Sequence, residues 1–280
     1  MTAYLDRLAE RSAKVSSCLC LGIDPDPATL PAGFDAGIAG IARFAELLLD
    51  AAAPYAAAVK ANLAFFEAYG SDGIAALERL RSRIPEDVPF IADAKRGDIG
   101  STAARQAVAL FDILGADAVT ASPYLGRDAL APFLDRPDRF TYVLCRTSNS
   151  GAAELQNVTT AAGKPLYLAV AQMVASWASE APTAGLVVGA TAPNELTRVR
   201  DVAPQLPFLV PGVGAQGGDL ATTLEFGPTI EEHGRRRGGS LLVNVSRGIA
   251  GAASGSASAN GSLEKAVAAA AADWSARLRC

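Results

Sequence analysis

A closed barrel of eight parallel strands, each followed by a helix, is the fold this sequence predicts. Three observations predict it. Eight short apolar runs alternate with stretches of helical period without a break in the rhythm, and a strand-helix repeat of this kind requires parallel pairing. The chain has 280 residues, 50% of them hydrophobic, a size at which eight such units can close as one domain. Charged and polar residues collect where the apolar runs end, which is where a parallel barrel carries its chemistry. A doubly wound open sheet is the runner-up; closure is preferred because it leaves no edge unpaired.

Each element has its own signal. The opening MTAYLDRLAERSAK has no apolar core of a signal peptide and reads as an amphipathic helix ending near Ser16. SCLCLGIDPD is the first strand, to about Asp24, and residues 36–53 are helical in period. The second strand spans 56–60, then FFEAYG and residues 71–83 give a loop and a helix. The third strand lies in PFIADAKRGDIGST, followed by a helix over 102–114. The fourth covers 117–121, a short helix 127–134, and the fifth ends near Arg146. A helix over 165–180 leads to the sixth strand, GLVVGAT, and Pro193 opens the next helix. PFLVPGVGAQGGD and SLLVNVSRGI are the seventh and eighth strands with their loops. Residues 251–261, rich in Gly, Ser and Ala, read as a flexible loop, and 263–278 as a final helix. No repeat and no linker divides residues 1–280, so one barrel domain with an N-terminal and a C-terminal helix is expected.

Composition removes several classes of function. With 25 Lys and Arg against 29 Asp and Glu, the net charge of −4 gives no general attraction to nucleic acid. The run Arg235, Arg236, Arg237 between glycines reads as a solvated loop. No stretch of 18 apolar residues is free of charge, so no membrane span is expected, and with no signal peptide a cytoplasmic location follows. Four cysteines read as buried thiols in a reducing compartment rather than as a metal or disulfide framework. A single histidine, His233, allows no His cluster and argues against a Ser-His-Asp triad. The chemistry then falls to Lys and Asp.

Asp93, Lys95, Arg96 and Asp98 follow directly on the third apolar run. Asp93 and Lys95 are two apart, so on an extended backbone they share a side. Asp24 ends the first strand, and Lys60 and Asn62 the second. One strand-end charge can simply be solvated. Asp24, Lys60, Asp93 and Lys95 converging on one mouth are better explained by function, because such groups are seldom buried unless paired. The loops after strands seven and eight, the usual phosphate site of this architecture, read GVGAQGGD and SRGI. Glycine backbone, Gln216 and Arg247 suit an anion there. Gly212, Gly214 and Gly217 also match a dinucleotide fingerprint, but at the seventh strand instead of the first, so a simple phosphate pocket is preferred.

These residues resemble a known family. Asp93-Ala-Lys95-Arg-Gly-Asp98-Ile99 is similar to the signature of the orotidine 5′-monophosphate decarboxylases, in the bacterial subgroup with DAKRGD. GIDPDP, VKANLAFFEAYG, CRTSNSG, VPGVGAQGGD and NVSRGI accompany it in order between residues 22 and 249. Two loop positions depart from the pattern: Ala61 and Ser150 stand where proline is expected. The resemblance implies conversion of orotidine monophosphate to uridine monophosphate in pyrimidine biosynthesis, with neither metal nor cofactor. It implies Lys95 as proton donor to the C6 carbanion, Asp93 beside the substrate carboxylate, and Lys60 holding the array. Asp24, Asn62 and Gly248 would bind the substrate, Ser148 the pyrimidine, and Gln216, Gly217, Gly218 and Arg247 the phosphate. It further implies a homodimer in which Asp98, Ile99 and Thr102 complete the neighbour's pocket, and a 211–220 loop that closes over the phosphate. The rivals are a Mg²⁺-dependent sugar-phosphate decarboxylase or aldolase on the same barrel, a Schiff-base aldolase using Lys95, and a non-catalytic phosphate-ligand barrel.

Overall fold

The computed structural model describes residues 3–279 other than 215, 232–233, 237 and 255–259. Its strands are β1 Leu19–Ile23, β2 Ala58–Asn62, β3 Phe90–Arg96, β4 Ala118–Ala121, β5 Phe140–Arg146, β6 Ala184–Val188, β7 Phe208–Val210, β8 Ile230–Glu231, β9 Gly234–Arg235 and β10 Leu241–Val245. All but β8 and β9 close into one barrel in the order β1-β10-β7-β6-β5-β4-β3-β2, every pair parallel. Closure removes the open-sheet alternative, and with it the setting of a dinucleotide crevice.

The barrel strands are apolar on both faces because both are covered. Leu19, Leu21, Val59, Phe90 and Val119 belong to the larger core between strands and helices. Their neighbours Cys20, Ala58, Ile91, Ala118, Phe140, Tyr142 and Leu242 form a second cluster. The strand period of two gives that second set one common side, the barrel interior.

The helix Ala3–Val15 closes the floor of the barrel. Tyr4 and Leu8 join the interior cluster; Tyr4 stacks on Phe140 at 5.0 Å between ring centroids, and its hydroxyl lies 3.1 Å from that of Tyr142. Arg7 reaches Asp117 at 2.6 Å, and Arg11 reaches Asp87 at 2.9 Å. The floor is thus packed and tied by charge where this helix meets the barrel, with a cavity beside it between Leu5, Pro207 and Ser240, while the polar cavity opens toward the strands' C-terminal ends.

Several expectations need correction. The second strand is Ala58–Asn62, so Ala61, expected in a loop, lies inside it, paired with Ile23 and Ala92. The helix expected over 102–114 starts at Gly100 and passes into a π-helical turn at Val108–Ile113. The described part of 251–261 begins as a 3-10 turn, Gly251–Ala253, continuing the helix Arg247–Ala250, and the last helix is Asn260–Arg277. Arg235 and Arg236 are not merely solvated. Arg235 lies in the β8–β9 hairpin with its guanidinium over the Phe226 ring, and Arg236 pairs with Glu231 at 3.4 Å. Arg237 and His233 lie outside the described residues.

Candidate active site

A cavity of about 520 Å³ opens at the C-terminal ends of the strands. Its wall repeats the period of two. Two residues beyond the interior Ala58 is Lys60, and beyond that Asn62; Ile91 leads to Asp93, Ala118 to Thr120, and Leu242 to Asn244 and Ser246. Each of these four strands places an apolar side chain in the core and a polar one a layer higher, whereas β5, β6 and β7 line the cavity with Leu144, Val187 and Leu209.

Four charges form one chain of contacts. Lys60 Nζ donates to Asp93 Oδ2 at 2.9 Å and to Asp24 Oδ1 at 3.4 Å, and Lys95 Nζ donates to Asp93 Oδ1 at 2.7 Å. Burial works against the charge on Lys60, yet the carboxylates of Asp24 and Asp93 outweigh it and hold the ammonium above the ordinary lysine pKa. Burial likewise opposes the Asp93 charge, and Lys60 and Lys95 together hold that carboxyl well below the usual range. Lys60 and Asp93 therefore both keep their charge at neutral pH. Lys95 differs from Lys60 in standing at the open side, its side chain 48% exposed.

The local backbone is not the regular strand that the sequence suggested. Between Ala92 and Arg96 the register against β4 slips, and Lys95 sits at φ +49°. A bulge there turns an apolar strand into a loop while keeping Lys95 on the side of Asp93. Such a conformation costs a non-glycine residue on the order of 1–3 kcal/mol. Thr120, absent from the expectations, holds it: its Oγ1 accepts from the Lys95 N–H at 2.9 Å and donates to Asp93 Oδ1 at 2.8 Å.

The opposite wall is built from loops. Ser148 lines the cavity, and its carbonyl accepts from Thr191 Oγ1 at 3.2 Å. Gln156 donates to Thr147 Oγ1 at 2.7 Å and accepts from the Thr147 N–H at 3.0 Å, fixing the turn before Ser148. Gln216, Arg247 and Gly248, on the segments that follow β7 and β10, line the cavity as well. Asn244 Oδ1 and Ser246 Oγ are buried with no hydrogen-bond partner among the described residues, polar atoms suited to a bound molecule. A side chain at Gly22 would come within 2.9 Å of both residues, so glycine there leaves them room.

Not every expected residue lines the cavity. Asp24, Lys60, Asn62, Asp93, Lys95, Ser148, Gln216, Arg247 and Gly248 do. Asn62 also caps its own loop, accepting from the Ala64 N–H at 3.1 Å. Gly217 and Gly218 stand behind the wall: their N–H groups donate to Gly214 O at 2.8 Å and Gly212 O at 3.0 Å. Those donors shape the loop and are not free for an anion. Asp98, Ile99 and Thr102 do not line the cavity of their own chain; Asp98 Oδ1 accepts from the Ile99 N–H, and Ile99 is 64% exposed. The missed residues Thr120, Asn244 and Gln156 carried different signals. The first two are polar positions inside apolar runs, with the same parity as Lys60 and Asp93. Gln156 lies on a short helix and had no such signal.

Fold and site together define a (β/α)₈ enzyme with two lysines, two aspartates and an arginine around one cavity. Residues 17–261 match the model of the Orotidine 5′-phosphate decarboxylase / HUMPS family. The chain belongs to this family. It is 44% identical over 253 residues to an orotidine 5′-phosphate decarboxylase of Herpetosiphon aurantiacus, covering 90% of this chain and 91% of that one. It is 48% identical over 257 residues to one of Natronomonas pharaonis, covering 91% of each. The solved structure of Leishmania donovani OMP decarboxylase superposes with a TM-score of 0.80 at 38% identity, covering 100% of both chains.

Proposed function

We propose that the protein decarboxylates orotidine 5′-monophosphate to uridine 5′-monophosphate in pyrimidine biosynthesis. The observation that carries this is the Asp24–Lys60–Asp93–Lys95 array sharing one cavity with Ser148, Gln216 and Arg247.

The C6–carboxylate bond breaks, its electron pair stays on C6, and neutral carbon dioxide leaves. Lys95 Nζ then gives a proton to C6 and regains one from water. A carbanion with no electron sink has a high barrier, toward the upper part of the ~8–23 kcal/mol that enzymes supply. An ammonium waiting where charge develops stabilises the transition state without reorganisation. Asp93 beside the substrate carboxylate gives a like-charge contact that is relieved as carbon dioxide departs. Lys60 fixes Asp93 and, with Asp24 and Asn62, meets the ribose. Ser148 meets the pyrimidine; Gln216, Arg247 and Gly248 take the phosphate, with Gly217 and Gly218 turning their loop. The phosphate is remote from C6, so its binding energy can drive closure of the 211–220 loop.

Both Asp93 oxygens are engaged by ammonium and hydroxyl donors of the chain itself, which favours chemistry without metal over the Mg²⁺-dependent reading. The assay is loss of orotate absorbance in EDTA, with Lys95→Ala alongside. Activity should persist in EDTA and fall about 10³-fold or more in the variant. A rate lost in EDTA would point to the metal-dependent rival, and an unchanged variant would remove Lys95 as the acid.

The protein acts as a homodimer, with Asp98, Ile99 and Thr102 completing the neighbour's site. Support comes from exposed apolar side chains on the adjoining β3 and β4 loops, Ile99 and Tyr124, the latter 77% exposed. Mixing Lys95→Ala with Asp98→Ala protein should restore activity through heterodimers, each with one intact site. If heterodimers form and stay inactive, Asp98 does not act across an interface. The motif over 93–98 supports the DAKRGD subgroup, and the composition supports a cytoplasmic enzyme; no described helix is long and apolar enough to cross a membrane.

A further inference from the structure

Thr120 has no part in the chemistry above, yet it closes a ring of contacts around the proton donor. The Lys95 N–H donates to Thr120 Oγ1, Thr120 Oγ1 donates to Asp93 Oδ1, and Lys95 Nζ donates to the same Asp93 Oδ1, at 2.9, 2.8 and 2.7 Å. One hydroxyl and one carboxylate oxygen therefore hold Lys95 at both ends, by its amide and by its ammonium. Thr120 is 2% exposed, so water cannot replace either hydrogen bond easily. Packing does not call for the hydroxyl, because valine would fill the same volume. The strain does: Lys95 sits at φ +49° beside a slipped register, and its side chain is half exposed and otherwise free to swing into solvent.

We propose that Thr120 is a positioning residue for proton transfer, holding the Lys95 ammonium at the point where the C6 proton is delivered. The inference rests on Lys95 being the acid. It concerns the reacting end of the cavity only, and the groups that bind phosphate and pyrimidine lie on other loops.

The test uses Thr120→Val, which keeps the branched shape and removes both hydrogen bonds, and Thr120→Ser, which keeps the hydroxyl. Lys95→Ala is the control. Three quantities are measured: kcat for decarboxylation, exchange of the C6 hydrogen of uridine monophosphate in deuterium oxide, and calorimetric affinity for uridine monophosphate. Exchange at C6 is the reverse of proton delivery and reports on Lys95 directly. Thr120→Val should lower kcat and exchange by about tenfold or more, the scale expected when a reacting group is misplaced by about an ångström. Its affinity for uridine monophosphate should stay within about twofold, and Thr120→Ser should recover most of both rates. The proposal is overturned if Thr120→Val keeps kcat while Lys95→Ala is inactive, if affinity falls as far as kcat, or if Thr120→Ser is no better than Thr120→Val. Activity in Lys95→Ala would overturn the underlying assignment of the acid, and this inference with it. Should Thr120→Val not fold, Thr120→Ala is subject to the same comparison with Thr120→Ser.

Discussion

The floor and the mouth of this barrel each bury an aspartate among cations, and the two sites differ in which cations. At the floor, Asp117 is met by Arg7 at 2.6 Å, Arg139 at 3.8 Å and Arg81 at 3.9 Å, and it accepts from the Phe90 N–H at 2.8 Å. At the mouth, Asp93 is met by Lys60, Lys95 and the Thr120 hydroxyl. Guanidinium is a planar fork that keeps its proton at any relevant pH, so the floor can only tie helix Ala3–Val15 to β3 and β4. Ammonium is compact, rotatable and able to release a proton, so the mouth can do chemistry. The same electrostatic pairing serves stability at one end and reaction at the other.

Exchanging each carboxylate for its amide should separate the two ends. Asp93→Asn keeps the shape and removes the charge between the lysines; kcat should fall by about 10³-fold or more. Asp117→Asn should leave kcat almost unchanged and cost about 2–3 kcal/mol of stability, because three partly exposed guanidinium groups lose their buried counterion. Denaturant melts and steady-state assays on both variants measure this. An active Asp93→Asn protein would show that the mouth is merely another structural tie.

Two glycines sharpen the contrast at smaller cost. A Cβ on Gly218 would lie 2.5 Å from Gly212 O and 2.6 Å from the Ala190 Cβ, forcing the loop near Gln216 to move. A Cβ on Gly185, at the floor, would lie 2.5 Å from Pro207 O and 2.9 Å from the Phe140 ring. Gly218→Ala should raise KM about tenfold with a smaller change in kcat, and Gly185→Ala should lower the melting temperature with KM kept. Equal effects on both quantities in either variant would erase the distinction.

The floor and the mouth were not equally readable from sequence. The mouth was open to reading because Lys60, Asp93 and Lys95 interrupt apolar runs, and charge in such a place has few explanations. The bulge at Lys95 was hidden, since nothing in Ala-Lys-Arg-Gly says that a lysine takes a left-handed backbone; tertiary contacts with Thr120 decide it. Gly217 and Gly218 misled for a related reason: glycine marks where backbone can approach an anion, but not whether its N–H is already bonded within the loop. The floor was opaque because Arg7, Arg81 and Arg139 come from distant segments and converge on Asp117 only once the barrel has closed. Period and parity are local properties, and convergence of side chains is not.

The smallest expected effect concerns pH. The folded Asp93 pKa is depressed, so its contribution to stability is complete above the ordinary carboxylate value and fades as pH falls toward the folded value. The folded Lys60 pKa is raised, so its contribution is complete below the ordinary lysine value and fades as pH rises past it. Between about pH 5 and pH 9 neither group changes protonation in either state. The difference in melting temperature between wild type and Asp93→Asn should therefore be flat across that window, shrink in acid as the unfolded carboxylates begin to bind protons, and shrink in base as the unfolded Lys60 loses its proton. Calorimetry of both proteins over the range checks it. A slope near neutrality would mean that some other titrating group shares the array, and the mouth would then be a wider network than these four side chains.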